Sequence, residues 1–458
     1  MSGLRKKLSV PLVVVLSAFI ASCAGTAVPR ATPGGAAGSA PSGTQSEKPS
    51  PRPQKPEGPI TLLDFAYIDE AGNMATAALD GNRSVPITTD AGRTVSYGEA
   101  TWTPAGDRLA FSRSPSGGPY SVISVSDGAE EYEVLFESDR HPAIYMSFSP
   151  NGRFLALISE EGGGGLNLYV VDVEDPATEP IRVTTGRPLY WDWGADSETI
   201  LVHTNGVGLG DGPGRIAVHD ITREAQDAQA LVVESPPSFF QAPATSPAGS
   251  EFAASVGLGD GAAGVAVFTQ DGAISRLVAR SFGLSAFAWS PDGTRLAVLD
   301  GRPAGGLGLV GTLSVYPEGE NRRTISYQVQ ERTKPTDVTA FYWSPTGEYI
   351  LYFSPYVARA PESDQQRVFM RSGLYSPEDG AVLRLGSFPP AGDFVARAVP
   401  FFDQYSRSGS PWSPDGELFL LAVQGEAGPE IYGVRPNESS QEPVLLARGQ
   451  SPVFPKAY

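Results

Sequence analysis

From about residue 60 onward the chain alternates tight-turn chemistry with short apolar runs. The recurring unit is an aromatic residue, then Ser-Pro-x-Gly, then an apolar strand. Trp102-Thr103-Pro104-Ala105-Gly106 leads into Leu109-Ala110-Phe111, and Phe148-Ser149-Pro150-Asn151-Gly152 leads into Phe154-Leu155-Ala156-Leu157. A degenerate copy, Trp193-Gly194-Ala195-Asp196, precedes Ile200-Leu201-Val202. Further copies are Ser246-Pro247-Ala248-Gly249, Trp289-Ser290-Pro291-Asp292-Gly293, Trp343-Ser344-Pro345-Thr346-Gly347 and Trp412-Ser413-Pro414-Asp415-Gly416. Their proline-equivalent positions are spaced 46, 45, 52, 44, 54 and 69 residues apart.

Each position in the unit has a physical reason. Proline suits the second place of a type I turn, and glycine the later place where φ turns positive. The extra left-handed residue makes a bulged hairpin loop joining two antiparallel strands. The aromatic residue before the turn is large enough to wedge between neighbouring units. A second tight turn recurs at Asp127-Gly128, Asp271-Gly272, Glu318-Gly319 and Asp379-Gly380. Each repeat therefore predicts four antiparallel strands, and strand units repeating every 40–50 residues are the signature of propeller blades. The ends supply one more repeat. Gln450-Ser451-Pro452-Val453-Phe454 reads as an inner strand, and Leu62-Leu63-Asp64-Phe65-Ala66-Tyr67 as a second strand with nothing before it. The expected fold is an all-β, eight-bladed β-propeller over residues 60–458, its last blade closed by strands from both ends; seven blades is the alternative.

The Trp-Ser-Pro-Asp-Gly copies, with Leu and Ala in the strand that follows, resemble the TolB-like, WD-related propeller repeat. The resemblance covers nearly all of residues 60–458 and implies fold more than activity, since propellers host unrelated functions. In that family the propeller follows an α/β domain and binds periplasmic partners; this chain has a Pro/Gly/Ser-rich tether in that place, so those partners are not carried over. The same repeat also forms the propeller of prolyl oligopeptidases, whose separate hydrolase domain carries a Ser-His-Asp triad. No Gly-x-Ser-x-Gly elbow occurs in this chain.

The N-terminus has the pattern of an export signal over residues 1–22. Arg5, Lys6 and Lys7 precede an apolar core from Leu8 to Ile20, too short to span a bilayer. Ile20-Ala21-Ser22-Cys23 resembles the lipobox of bacterial lipoproteins, which implies cleavage before Cys23 and its acylation. Multiple acyl chains hold a protein to a membrane where one binds only marginally. Cys23 is the only cysteine, so no thiol is left for metal, redox or nucleophilic work. Residues 23–59, rich in Pro, Gly, Ser and Thr, cannot bury enough surface to order themselves. They read as a tether reaching ~30 Å.

The formal charge of −17 opposes nucleic-acid binding. The expected location is extracytoplasmic, anchored by lipid to an envelope membrane. Only His141, His203 and His219 are present, without metal-ligand spacing, and no cofactor, metal or catalytic residue is expected. Glycine-rich loops at 162–165, 207–212, 256–261 and 305–308 read as hairpin tips. Asp211 and Asp260 are possible but sparse calcium ligands. The longest connection, 388–410, carries Phe394, Arg397, Phe401, Phe402, Tyr405 and Arg407. Aromatic-plus-arginine composition is typical of binding hot spots, so these six are the candidate partner-binding residues, with packing into a cleft as the alternative. The expected function is a binding or scaffold module for an envelope protein, peptide or glycan, monomeric within a larger assembly. The alternatives are a hydrolase or lyase with channel carboxylates, or an accessory or sensor subunit.

Overall fold

The Ser-Pro-x-Gly turns are locked by their own side chains. Ser290 Oγ donates to Asp292 Oδ1 at 2.5 Å and accepts Arg295 N–H at 3.0 Å, while Gly293 turns at φ +71°. Ser149 does the same with Asn151 and Phe154, and Ser413 with Asp415 and Leu418. The serine hydroxyl thus satisfies the backbone at the start of each outgoing strand, which explains why it recurs. Space is tight at one of these glycines as well. A Cβ on Gly293 would lie 3.1 Å from Ser246 Oγ in the preceding turn.

The computed structural model describes residues 53–456 apart from 162–164, 206–212, 223–229, 239–240, 260–261, 282, 318–326, 329, 332–333, 336, 360–365 and 437–441. The expected signal, Cys23 and most of the tether lie outside the described residues, as do three of the four glycine tips in whole or part, with Asp211 and Asp260. At the near end of the tether, Ile60 N–H donates to Ala129 O and Gly128 N–H to Ile60 O, both at 2.8 Å. The chain therefore enters the ring beside a short turn of the first blade.

Six blades are four-stranded antiparallel sheets. They begin on the inner strands Val95–Trp102, Ala143–Phe148, Leu189–Trp193, Ala244–Thr245, Leu284–Trp289 and Ala340–Trp343. The seventh is six-stranded and is drawn from both ends: Phe419–Gln424, Pro429–Val434 and Val444–Val453 continue into Phe65–Asp69, Met74–Ala77 and Ser84–Pro86. The count is therefore seven blades, the alternative reading, and not eight. The reason is the ten-residue strand Val444–Val453. Its first half pairs with Pro429–Val434 and its second half with Phe65–Asp69, so the last two repeats share one hydrogen-bonded sheet. Closure by both termini holds.

The core lies between blades. Tyr145, Ile158 and Val170 of the second blade pack on Leu189, Trp191 and Ile200 of the third. Over each joint that carries a tryptophan, the indole N–H donates to the preceding inner strand: Trp102 to Val453 O, Trp193 to Ser147 O, Trp289 to Ala244 O, Trp343 to Ala288 O and Trp412 to Tyr342 O, at 3.1–3.4 Å. At the closure Phe454 is fully buried with its ring edge on Phe65, centroids 5.8 Å apart.

Two predictions follow from this packing. Phe454→Ala should cost about 3–5 kcal/mol in urea unfolding of the full chain, and deletion of 450–458 should cost more. Unchanged stability would show that the end strands do not close the ring. The second concerns pH. Burial pushes the His203 imidazole down from 6.5 to about 4, and His219 likewise. The unfolded chain then binds more protons between those values. Their contribution to stability is whole above pH ~6.5 and is lost as pH falls toward 4, with a limiting slope of ~1.4 kcal/mol per pH unit for each group. His203→Gln should flatten the fall in urea midpoint across that window.

Candidate functional site

The inner strands of a propeller face one another across a channel and leave edge N–H and C=O groups unpaired. Here the connection 388–410 descends into that channel and satisfies them. It folds as a π-helical segment, Phe394–Ala398, followed by a short helix, Phe402–Tyr405. Gln404 acts as a surrogate strand for the third blade. Its Oε1 accepts Trp191 N–H and its Nε2 donates to Trp191 O, each at 2.9 Å, while Tyr145 OH donates to Gln404 O at 2.8 Å. Asp403 Oδ2 accepts Ala242 N–H at 2.9 Å, Arg407 Nη2 donates to Phe287 O at 2.9 Å, and Thr101 Oγ1 donates to Ser408 O at 3.1 Å. Phe402 sets its ring against Phe341 and Tyr342. Asp393 Oδ2 accepts both N–H and Oγ–H of Ser451, at 2.7 and 2.8 Å. One segment touches the axis side of every blade.

This placement sorts the six predicted residues. Phe402 and Arg407 are buried, and Phe394, Arg397, Phe401 and Tyr405 are half-buried. Phe394 packs edge-on to Phe353, centroids 5.2 Å apart. Arg397 pairs with Glu99, and Tyr405 OH reaches the same carboxylate at 3.4 Å. Glu99 is the bulge residue of its inner strand, at φ +23°, which turns its side chain toward the axis. The six residues come together, but as a plug with interior packing.

The plug divides the channel. On one side a cavity of about 150 Å³ is left between it and the closing blade, lined by Glu99, Asp393, Arg397, Tyr405 and Ser451. Toward the short-turn face a second pocket, the mouth, of about 220 Å³ remains. Its rim is the turn prolines Pro150, Pro247, Pro291 and Pro345, its walls are Trp289, Trp343 and Trp412, and its base holds Asp192, Arg407 and Lys456. Asp192 Oδ2 accepts Thr245 N–H at 2.8 Å and lies 3.8 Å from Arg407 Nε. Lys456 Nζ donates to Arg407 O at 3.3 Å, and burial pushes its ammonium down to about 8. At neutral pH it stays largely protonated, so among the described residues the base of the pocket gathers the Arg407 and Lys456 cations beside the Asp192 carboxylate.

The axial carboxylates are committed to structure. Asp403 holds Ala242 N–H, with burial raising its pKa, while Asp192 holds Thr245 N–H and Glu99 holds Arg397. Among the described residues there is no group of three or more His, Cys, Asp and Glu side chains able to hold a metal. Sequence reasoning missed Gln404, Asp192 and Lys456. Asp192 sits between two tryptophans of the degenerate repeat, which was a faint signal; nothing local marked the other two.

No protein-family model matches the chain. Over 96 residues it is 34% identical to the Tol-Pal system protein TolB of Gluconobacter oxydans (strain 621H), a match spanning 20% of each chain. The repeat is TolB-like. The match covers only about a fifth of that relative's length, so the likeness extends to the propeller repeat and not to the whole protein. Among solved structures, dihydro-heme d1 dehydrogenase NirN in complex with DHE superposes with a TM-score of 0.52 at 14% identity, covering 88% of this chain and 79% of that one. A prolyl endopeptidase superposes with a TM-score of 0.51 at 12% identity, covering 79% and 50%. Such distant likenesses establish the propeller fold alone.

Gln404→Leu tests the plug. It leaves Trp191 N–H and C=O buried without partners, at ~1–3 kcal/mol for each. The expected result is a loss of several kcal/mol in denaturant unfolding, against less than about 1 kcal/mol for an exposed control such as Ala396→Ser.

Proposed function

We propose that the chain is a lipid-anchored, extracytoplasmic binding module of the cell envelope, non-enzymatic, which takes a segment of a partner protein in the mouth on its short-turn face. The observation that carries this reading is the pocket on the short-turn side of the plug, a concave site walled by tryptophans with Arg407, Lys456 and Asp192 at its base. Concave apolar sites with a few convergent polar groups are the usual form of a binding site. The TolB-like repeat supports an envelope partner, because the relative is named for the Tol-Pal system. The carboxylates committed to the plug weigh against channel hydrolysis.

Of the six predicted partner-binding residues, Arg407 reaches this mouth. Phe394, Arg397, Phe402 and Tyr405 hold the plug, and Phe401 supports its entry. In this reading the plug is the floor against which the partner rests. Cys23 and the tether deliver the domain to the membrane, and the chain joins the ring on the same face as the mouth. The partner is then met on the membrane-facing side, within the ~30 Å reach of the tether.

The test uses the lipidated full chain with a photo-crosslinker placed at Pro345 on the mouth or at Gly306 on the opposite face. We expect an envelope protein to be captured from Pro345 and not from Gly306, and capture to fall roughly tenfold in Lys456→Glu, about the loss of one charge-assisted contact. Cys23→Ser should take up no lipid label and move to the soluble fraction. Capture from Gly306 alone would place the partner on the other face. A Cys23→Ser protein that stays on the membrane would remove the anchor.

A further inference from the structure

Away from the channel, the outer part of the joint between the first and second blades opens into a groove of about 690 Å³. That is within the range of small-ligand sites. It runs between the outer strand Glu133–Ser138 of the first blade and the third strand Gly165–Asp172 of the second. On the latter strand Asn167, Tyr169 and Val171 alternate onto the face turned to the first blade. Val171 and Tyr169 join the apolar core there, with Phe136 opposite. At Asn167 the same face turns polar.

Asn167 is the informative residue. It is only 1% exposed, it lines the floor of the groove, and its Nδ2 has no hydrogen-bond partner among the described residues. A buried amide N–H without an acceptor is costly, and in a native protein it calls for a missing acceptor. Beside it the Phe136 and Tyr169 rings stand 5.4 Å apart, tilted by 42° and half-buried. The rim carries Glu137, Arg140, His141 and Glu160. Donors and acceptors of both signs therefore surround an aromatic floor. An anion would meet the carboxylates and a cation the guanidinium. A neutral ligand dense in hydroxyls meets partners everywhere: C–H faces on the rings, hydroxyl oxygens on the Asn167 N–H, and hydroxyl hydrogens on the carboxylates.

We infer that this groove is a binding site for an uncharged saccharide, with Asn167 donating to a sugar oxygen and Tyr169 and Phe136 forming the ring platform. The site is independent of the mouth proposed for the partner protein.

The experiment is saturation-transfer NMR and calorimetry on the full lipidated chain in micelles of a sugar-free detergent. The probes are cellobiose and N,N′-diacetylchitobiose, with a tetra-alanine peptide as the comparison. We expect saturation transfer to at least one disaccharide, roughly tenfold weaker binding in Asn167→Leu, about one hydrogen bond, and loss of binding in Tyr169→Ala. Because Asn167→Leu removes an unpaired buried donor, its urea midpoint should be unchanged or raised, which separates lost binding from lost folding. Lys456→Glu should leave sugar binding intact. Absence of transfer to both disaccharides would overturn the inference. So would equal affinity in Asn167→Leu, or binding of the peptide alone. If Tyr169→Ala does not fold, Asn167→Leu decides.

Discussion

The ring depends on one contact made again and again: the indole N–H of the residue before each turn, donated across the joint to the inner strand of the preceding blade. At Trp102, Trp193, Trp289, Trp343 and Trp412 this bond spans 3.1–3.4 Å. A sheet edge at the axis has backbone groups that nothing in its own blade can satisfy. The indole reaches across to one of those carbonyls while its rings fill the wedge between sheets. Position and energetics are thus coupled in one side chain. At the two joints without a tryptophan, Phe148 fills the wedge, and Thr245 is held through its backbone by Asp192. Asp192 is needed where the wedge is small.

What the tryptophans leave unpaired, the plug takes up. Its helix has four residues, too short to be stable by itself. It exists because the axis offers a set of backbone donors and acceptors at fixed positions, and Gln404, Asp403, Arg407 and the Ser408 carbonyl meet them. The segment is therefore a consequence of closure. Only when the blades have converged do Trp191, Ala242, Phe287 and Thr101 surround it closely enough to bind it.

This explains what the sequence could and could not show. The turn motif was legible because each of its positions answers a local need: a hydroxyl for a strand N–H, glycine for a positive φ, an aromatic for the wedge. The closure by both termini was legible because the end segments complete a repeat. The number of blades was not, since a repeat counts motifs whereas a sheet counts hydrogen bonds, and Val444–Val453 carries both partners on one strand. The segment 388–410 was singled out as unusual and read as a candidate binding hot spot, with packing into a cleft as the alternative. Aromatics with arginine serve equally at a desolvated interface and in a desolvated channel, so composition cannot tell them apart. Only the partners decide, and they come from blades far away in sequence. Lys456 lies beyond the last motif, with no local pattern to mark it.

The same difference in lengths gives the ring its direction. Turns locked by Ser and Gly are short and set a rim of prolines around the axis on their face. The longest connection between blades, 388–410, enters from the opposite face and has enough chain to turn inward. A uniform motif on one side and a single long connection on the other suffice to make a symmetric ring into a cup with a floor. In a chain of charge −17, the bottom of that cup gathers Arg407 and Lys456 beside Asp192. Low-dielectric walls focus the field of such charges toward whatever enters. The turn chemistry that makes the blades fold is thereby also what keeps the cup accessible.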